Sequence, residues 1–246
     1  MWGTVLALCL AGTALGQSDA AAADELSRQV QLFETADAEL NAVYQLAREL
    51  LPEQVFIALR DTQREWLEGR DTRAADIGTF NRAITEDDRP AAESPEFWEA
   101  RRWLTEDRTD FVRGWIRAYD GSLDSLGRWE GVWTDGYGGG FRLLDTGDGH
   151  LLLDILVVRG PTAHTGAVSG RGDVLENEAV FSWEVPGQDD AAELRMRRLG
   201  PLIVIETSGP IDYFHGVRAY FDGSYVRVDA LSPLQRLELL DGHAPN

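Results

Sequence analysis

The spacing of the apolar residues changes once along this chain, and that change constrains the fold more than any other feature. Up to Gly127 the apolar side chains recur in steps of three and four, which is typical of amphipathic helices. From Arg128 they alternate with polar residues in short runs, which is typical of antiparallel strands. The sequence therefore predicts an α+β protein with a helical domain at residues 17–127 and an all-β domain at residues 128–246.

The helical part is expected to form an antiparallel bundle of about three long helices. A first apolar stripe runs from Leu26 to Leu51, and an acid at Asp37 interrupts it, which we interpret as an exposed edge. A second stripe runs from Pro52 to Arg73, with a turn or two beyond it. These two stripes predict a helical hairpin with a tight corner.

A third helix is predicted after a loop at residues 86–93. Ser94-Pro95 combines a hydroxyl cap with a proline in the first turn, and Gly121 is suited to end a helix. This helix is expected to pack on the hairpin.

The alternating runs predict eight or nine antiparallel strands, arranged as an up-and-down barrel or a sandwich. Hairpin turns are expected at Gly147-Asp148-Gly149 and at Asp222-Gly223. The predicted strands cover residues 129–134, 141–144, 150–158, 163–169, 179–184, 193–198, 202–207, 217–221 and 225–228.

The polar residues between Leu40 and Asp71 form an unusual combination on the first two helices. Leu40-Asn41-x-x-Tyr44 precedes Gln63-Arg64-x-Trp66, and Arg70-Asp71 follows one turn later. This combination resembles the N-terminal domain of the LprI-type lysozyme inhibitors. The resemblance implies a helical domain that binds and inhibits lysozyme, without a catalytic role. It makes these the candidate site residues, here called the family motif: Leu40, Asn41, Tyr44, Gln63, Arg64, Trp66, Arg70 and Asp71.

Two interpretations of the family motif remain open. The spacing allows Arg64 to pair with Glu68, and it allows Arg70 to lay its guanidinium over the Trp66 indole. Such contacts suit a motif that only locks two helices together, with Trp66 buried between them. The alternative is a recognition surface that contacts the partner.

The cysteines that often accompany this motif are absent. Members of the family often carry cysteines before the first helix and shortly after the Arg-Asp pair, where this chain has Ala74. A disulfide mainly constrains the unfolded chain, so core burial can replace it. The departure therefore weakens the inference of activity more than the inference of fold.

The first sixteen residues have the features of a secretory signal. They are uncharged and apolar, and Ala14-Leu15-Gly16 offers small residues for cleavage. Cys9, the single cysteine, would be removed with them, since the bulky Leu8 fits a lipoprotein site poorly. We therefore expect residues 1–16 to be a signal peptide and the product to be periplasmic or secreted, without a disulfide or a membrane span.

The net charge of −19 limits the classes of partner. Nucleic acid and anionic membranes would be repelled, whereas a cationic protein such as a basic lysozyme would be attracted. The alternative is that the charge only keeps a secreted protein soluble.

The start of the β part suggests a second function. Trp129-Glu130-Gly131-Val132-Trp133 resembles the Gly-x-Trp signature of lipocalin-type barrels. This resemblance implies a hollow barrel that carries a small apolar or cell-envelope ligand. An aromatic residue closing the base of any small barrel would give the same pattern.

Catalytic and cofactor chemistry is not indicated. The four histidines lack metal-ligand spacing, and Asp189-Asp190 lies in a polar loop with no feature of a glycosidase pair. We predict no enzyme activity, no cofactor and no metal. One further segment, residues 159–166, combines a cation, a titratable ring and hydroxyls in a turn, and is a possible partner loop through Arg159, Thr162, His164 and Thr165.

Overall fold

The computed structural model describes residues 6–83, 91–122, 127–159, 164–217 and 219–243. Its first part contains three long helices, as predicted: α1 (Leu6–Leu50), α2 (Glu53–Ala83) and α3 (Pro95–Asp120), with a short 3-10 turn at Ala91–Glu93. α1 begins well before Leu26 and so includes residues of the predicted signal, whose removal stays a prediction. None of the helices in the described ranges has the length and apolarity that crossing a membrane requires.

Both predicted ends of α3 are confirmed. The backbone N–H of Phe97 donates to Ser94 Oγ at 3.2 Å, and Pro95 occupies the first turn. Gly121 ends the helix with φ at 77°, a left-handed conformation that glycine adopts without strain.

α3 is the central helix of the bundle. It packs along both α1 and α2, whereas the backbones of α1 and α2 approach each other closely at few positions. The corner of the hairpin is tight, as predicted, since only Leu51 and Pro52 separate the two helices, but each arm packs mainly on α3 and little on the other arm. The buried residues of this core are Leu40, Ala47, Leu51, Leu59, Trp66, Ala74, Phe97, Ala100, Leu104, Phe111, Val112, Trp115, Ile116 and, from the β part, Val226.

The second part is a closed antiparallel barrel of eight strands in sequential order, so the barrel alternative is confirmed over the sandwich. β8 pairs with β1 to close it. The strands are β1 (Gly131–Thr134), β2 (Gly139–Asp145), β3 (His150–Arg159), β4 (His164–Leu175), β5 (Glu178–Trp183), β6 (Ala192–Leu199), β7 (Leu202–Ser208) and β8 (Gly223–Asp229).

One predicted strand is wrong. The described residues of the range 217–221, namely Val217 and residues 219–221, lie between a 3-10 turn at Ile211–Phe214 and the start of β8, outside the strand ladders. Their alternation arises because Ala219 and Phe221 are buried in the barrel core while Tyr220 is exposed. Asp222-Gly223 is consequently not a hairpin turn, whereas the turn at Gly147-Asp148-Gly149 does join β2 to β3.

Large apolar side chains fill the barrel. Trp133 is fully buried, and the guanidinium carbons of Arg198 and Arg227 lie 4.9 and 4.8 Å from its ring. The buried core comprises Trp129, Trp133, Phe141, Leu143, Leu151, Leu153, Ile155, Val157, Val168, Ala179, Phe181, Leu194, Met196, Ile203, Ile205, Ala219, Phe221 and Tyr225. The Gly-x-Trp tryptophan is thus part of a packed interior.

A fourth helix, α4 (Pro233–Gly242), follows the barrel, and the sequence reading did not predict it. The sequence feature that marks its start is local. Ser232 Oγ accepts from the Gln235 N–H, and the Gln235 side chain accepts from the Ser232 N–H, which is a capping box. Leu239 packs α4 against Leu144 and Leu152 of the barrel.

The bundle and the barrel pack directly on each other. α3 lies on β8, where a Cβ atom added at Gly114 would lie 2.8 Å from the Arg227 carbonyl oxygen. The Arg117 guanidinium donates to the Val228 carbonyl, and Val226 joins the helical core. The domain limits at residues 127 and 128 stay a prediction, and the two parts share a core across them.

Candidate functional site

Arg70 is the centre of a first network within the family motif. Its Nη1 lies 2.9 Å from Asp37 Oδ1 on α1, and its Nε lies 2.9 Å from Asp71 Oδ1. Its guanidinium carbon lies 5.3 Å from the Trp66 ring, as predicted, and 5.4 Å from the Phe33 ring. The interpretation of Asp37 as a mere exposed edge is wrong, because this acid pairs with the largely buried Arg70.

Asp71 extends this network to α3. Arg101 donates to it twice, from Nε at 2.9 Å and from Nη2 at 3.2 Å. Arg101 also stacks on Phe33 at 4.2 Å and on Trp98 at 5.0 Å. The side chain of Phe33 therefore contacts two guanidinium groups, and all three helices are tied at one level.

A second network joins Gln63 to Arg108. Arg108 is completely buried, and it donates from Nε to Gln63 Oε1 at 2.8 Å and from Nη2 to Thr62 Oγ1 at 2.7 Å. Burial lowers the pKa of Arg108 to about 10, so the side chain is still charged at neutral pH. Its guanidinium carbon lies 4.4 Å from the Phe111 ring and 5.4 Å from the ring of Tyr137, a residue of the barrel part.

Trp66 lies between these two networks. The side chain is fully buried, as predicted, with Arg70 on one side and Arg108 at 5.8 Å. Leu40, Gln63 and Arg70 are buried as well. Half of the motif therefore holds the bundle together from inside.

The remaining motif residues are accessible. Asn41 is exposed and donates to Asp37 Oδ2 at 3.2 Å, and the half-buried Tyr44 ring lies 5.3 Å from Phe56. Arg64 is exposed and lies 3.8 Å from Asp61, so the predicted pairing with Glu68 is wrong. This happens because Asp61, one turn earlier on α2, lies on the same side as Arg64.

The possible partner loop lies at another place, where β3 meets β4. Arg159 and His164 face each other in the strand register. Thr165 is exposed, and its carbonyl oxygen accepts from the Gly216 N–H at 2.9 Å. Thr162 lies outside the described residues. The role of this loop stays a prediction.

A junction around Asp107 fastens α3 to the turn between β1 and β2. Thr134 Oγ1 donates to Asp107 Oδ1 at 2.7 Å, and the Gly138 N–H donates to Oδ2 at 3.0 Å. Burial, reinforced by the charge of Asp135, raises the pKa of Asp107 to about 7. Both carboxylate oxygens are thus occupied by structural contacts.

A cleft of about 380 Å³ lies between α2, α3 and the barrel, here called the interdomain cleft. Its lining includes three acids, Glu65, Asp135 and Asp222, and four aromatic side chains, Phe111, Trp115, Tyr137 and Tyr220. Sequence reasoning missed it, because these residues come from segments far apart in the chain. No group of three potential metal-ligating side chains occurs within the described ranges.

Comparison with known families agrees with the motif. Residues 16–111 match the family described as lysozyme inhibitor LprI. The helical part of this chain is therefore similar to LprI domains. The match covers less than half of the sequence and ends within α3, so the barrel lies outside the matched region. Neither the curated proteins nor the solved structures contain a match to the chain.

The family motif lies within the matched region, but it did not reveal the partners of its own residues. Arg101 and Arg108 are on α3, and each is an arginine within an otherwise apolar face that includes Leu104 and Phe111. An arginine on a buried helix face requires an acceptor, which is the signal that could have found them.

Proposed function

We propose that this protein is a periplasmic or secreted inhibitor that binds a basic lysozyme. The observation that carries the proposal is the match of the helical part to the LprI family. The net charge of −19 supports it, because an acidic inhibitor and a basic enzyme attract each other in solution. The buried half of the motif stabilises the bundle, so contact with lysozyme falls to its exposed residues or to neighbouring surfaces.

A turbidity assay on bacterial cell walls tests this function. The mature chain should slow clearing by at least one basic lysozyme, and several lysozyme types should be compared. The whole chain is required, because a fragment ending at residue 127 would expose the α3 surface that packs on β8. Failure to slow any lysozyme at low or moderate salt would refute the proposal.

Binding kinetics separate specific inhibition from simple charge attraction. Association should slow as salt rises, since screening shortens to about 10 Å at 0.1 M ionic strength. Dissociation should change little if buried anchors hold the complex. An interaction that disappears altogether by a few hundred millimolar salt would indicate nonspecific attraction.

The lipocalin-like alternative receives no support from the barrel interior. Eighteen buried side chains form its core, and they include Trp133, Phe141, Phe181, Phe221 and Tyr225. A carrier of apolar ligands needs a hollow interior of the kind found in lipocalins. A fluorescent fatty acid should therefore remain unbound, and saturable binding would revive the carrier function.

A further inference from the structure

We propose that the interdomain cleft receives an arginine or lysine side chain from a cationic protein. The identification of that protein as a lysozyme rests on the proposed function, whereas the preference of the cleft for a basic side chain does not. The volume of about 380 Å³ is at the small end of the range for ligand sites, about 300–1,000 Å³. It suits one long side chain better than a bulky ligand.

The charge of the lining favours a cation. Glu65 on α2, Asp135 after β1 and Asp222 before β8 contribute carboxylates from three separate segments. Glu65 is exposed and forms no ion pair with the residues of the described ranges. Among the described residues that line the cleft there is no arginine.

Neutral donors hold two of these carboxylates in position. Asp222 accepts from the N–H and the hydroxyl of Thr207 at 2.9 and 2.6 Å. Asp135 Oδ1 accepts from the backbone N–H groups of Tyr137 and Gly139 at 2.8 and 2.9 Å. Such hydrogen bonds orient a carboxylate without cancelling its charge, and Asp135 in addition interacts electrostatically with Arg108.

Two cations lie behind the cleft and offset part of this charge. The guanidinium carbons of Arg73 and Arg108 lie 4.8 and 5.4 Å from the Tyr137 ring. Arg108 is completely buried and donates to Gln63 and Thr62. Three acids against two cations leave the cleft negative, in a protein whose net charge is −19.

The aromatic side chains supply the second part of a basic-residue site. Tyr220 is half exposed at the edge of the cleft, and the faces of aromatic rings attract arginine and lysine. The methylene stem of such a side chain also buries well against Trp115 and Leu202, which line the cleft.

Trp115 carries an independent sign of a missing partner. Its side chain is only 7% exposed, and its Nε1–H has no acceptor within the described residues. A buried donor without an acceptor is rare and costly in folded proteins. When a basic residue of the partner protein enters the cleft, the backbone carbonyl oxygen of that residue would accept a hydrogen bond from the Trp115 Nε1–H.

The first test uses a small probe and needs no lysozyme. The ¹⁵N-labelled mature protein is titrated with N-acetyl-L-arginine methylamide, and the Trp115 indole signal is assigned through Trp115→Phe. We expect a saturable shift of this signal. The matched neutral compound, N-acetyl-L-citrulline methylamide, should bind at least about tenfold more weakly, since its ureido group has nearly the same shape but no charge and carries an oxygen acceptor in place of one N–H donor group.

Variants connect the probe to the cleft. Glu65→Gln removes an exposed acid of the lining and should weaken binding of the arginine compound several-fold. Glu49→Gln makes the same change on the exposed surface of α1, away from the cleft, and should have no effect. Equal binding of the citrulline compound, or a Trp115 shift caused only by an N-acetylglucosamine oligomer, would overturn the proposal.

The same variants in the lysozyme assay distinguish the two proposals. If the wild type binds the arginine compound but inhibits no lysozyme, the cleft assignment stands and the proposed function fails. If lysozyme is inhibited equally by wild type and Glu65→Gln, and the arginine compound leaves the Trp115 signal unchanged, the proposed function stands and the cleft assignment is refuted.

Discussion

The Asp107 junction gives the most direct prediction about stability, through the substitution Asp107→Asn. The Thr134 hydroxyl lies 2.7 Å from Asp107 Oδ1 and 3.0 Å from the Gly139 carbonyl oxygen. It can therefore donate to the ionised carboxylate, or accept from the protonated form while donating to Gly139. An asparagine amide reproduces the protonated arrangement, because it donates to Thr134 and accepts from the Gly138 N–H.

The sign and size of the effect follow from the pKa. Burial and the nearby charges of Asp135 and Asp110 raise the pKa of Asp107 from an ordinary 3.8 to about 7, although Arg108 also lies nearby. The unfolded chain then ionises first as pH rises, so the free energy of unfolding falls between about pH 4 and pH 7. At about 1.4 kcal/mol for each pKa unit, the loss is on the order of 4 kcal/mol.

Denaturant unfolding of both proteins from pH 4 to pH 8 measures this effect. Asp107→Asn should match the wild type near pH 4, exceed it increasingly up to about pH 7 and keep a nearly constant advantage above that pH. Because the variant lacks only this carboxyl, the difference between the two curves isolates it from all other groups that titrate. Asp110→Asn, an exposed acid on the same helix, should give a far smaller difference because solvent screens its charge. A constant difference across the pH range, or a wild type that is the more stable at pH 8, would refute the buried-acid account.

Three further predictions concern packing and processing. Trp66→Ala should lower the free energy of unfolding by about 3–5 kcal/mol in denaturant titration, because it empties a fully buried site; a loss below about 1 kcal/mol would contradict the packing role. Gly114→Val should lower the free energy of unfolding by about 1–3 kcal/mol, because an added Cβ would lie 2.8 Å from both the Arg227 carbonyl oxygen and Val226 Cγ1. Thermal unfolding measures this loss, and an unchanged melting temperature would argue against close packing of α3 on β8. Export should remove residues up to about Gly16, which intact-mass analysis of the periplasmic fraction checks, and a lipid adduct on Cys9 would contradict it.

Local sequence signals predicted most of the fold. The change of apolar spacing at Arg128 separates the helices from the barrel, and the ends of α3 follow from Ser94 and Gly121. The error at residues 217–221 has a physical cause. Alternation reports which side chains are buried, and Phe221 is buried there without a strand partner.

The candidate site was predictable only where its contacts are local. Arg70 and Trp66 are one helical turn apart, so their stacking follows from spacing alone. The pairs of Arg70 with Asp37 and of Gln63 with Arg108 cross 33 and 45 residues, and no local pattern encodes them. The interdomain cleft is even less predictable from local patterns, since its walls come together only after the barrel has closed and packed on α3.

The limits of the LprI match lead to a test of where inhibition resides. The match ends at Phe111, so Trp115, Asp135 and Tyr220 of the interdomain cleft lie beyond it. An inhibitory surface on α1 and α2 would be a property of LprI domains in general, whereas the cleft requires this particular union of bundle and barrel. Tyr220→Ala and Asn41→Ala discriminate the two, because both residues are exposed and neither change alters the charge.

If the cleft holds the partner, Tyr220→Ala should speed dissociation of lysozyme about tenfold, as the loss of an aromatic anchor does, and Asn41→Ala should stay within about twofold of the wild type. Dissociation of each variant from surface-immobilised lysozyme measures binding. Unfolding curves of the same two variants show whether a change in binding arises from a loss of stability. The opposite ranking, with Asn41→Ala the weaker binder, would place recognition on the exposed half of the motif and leave the cleft without a part in inhibition.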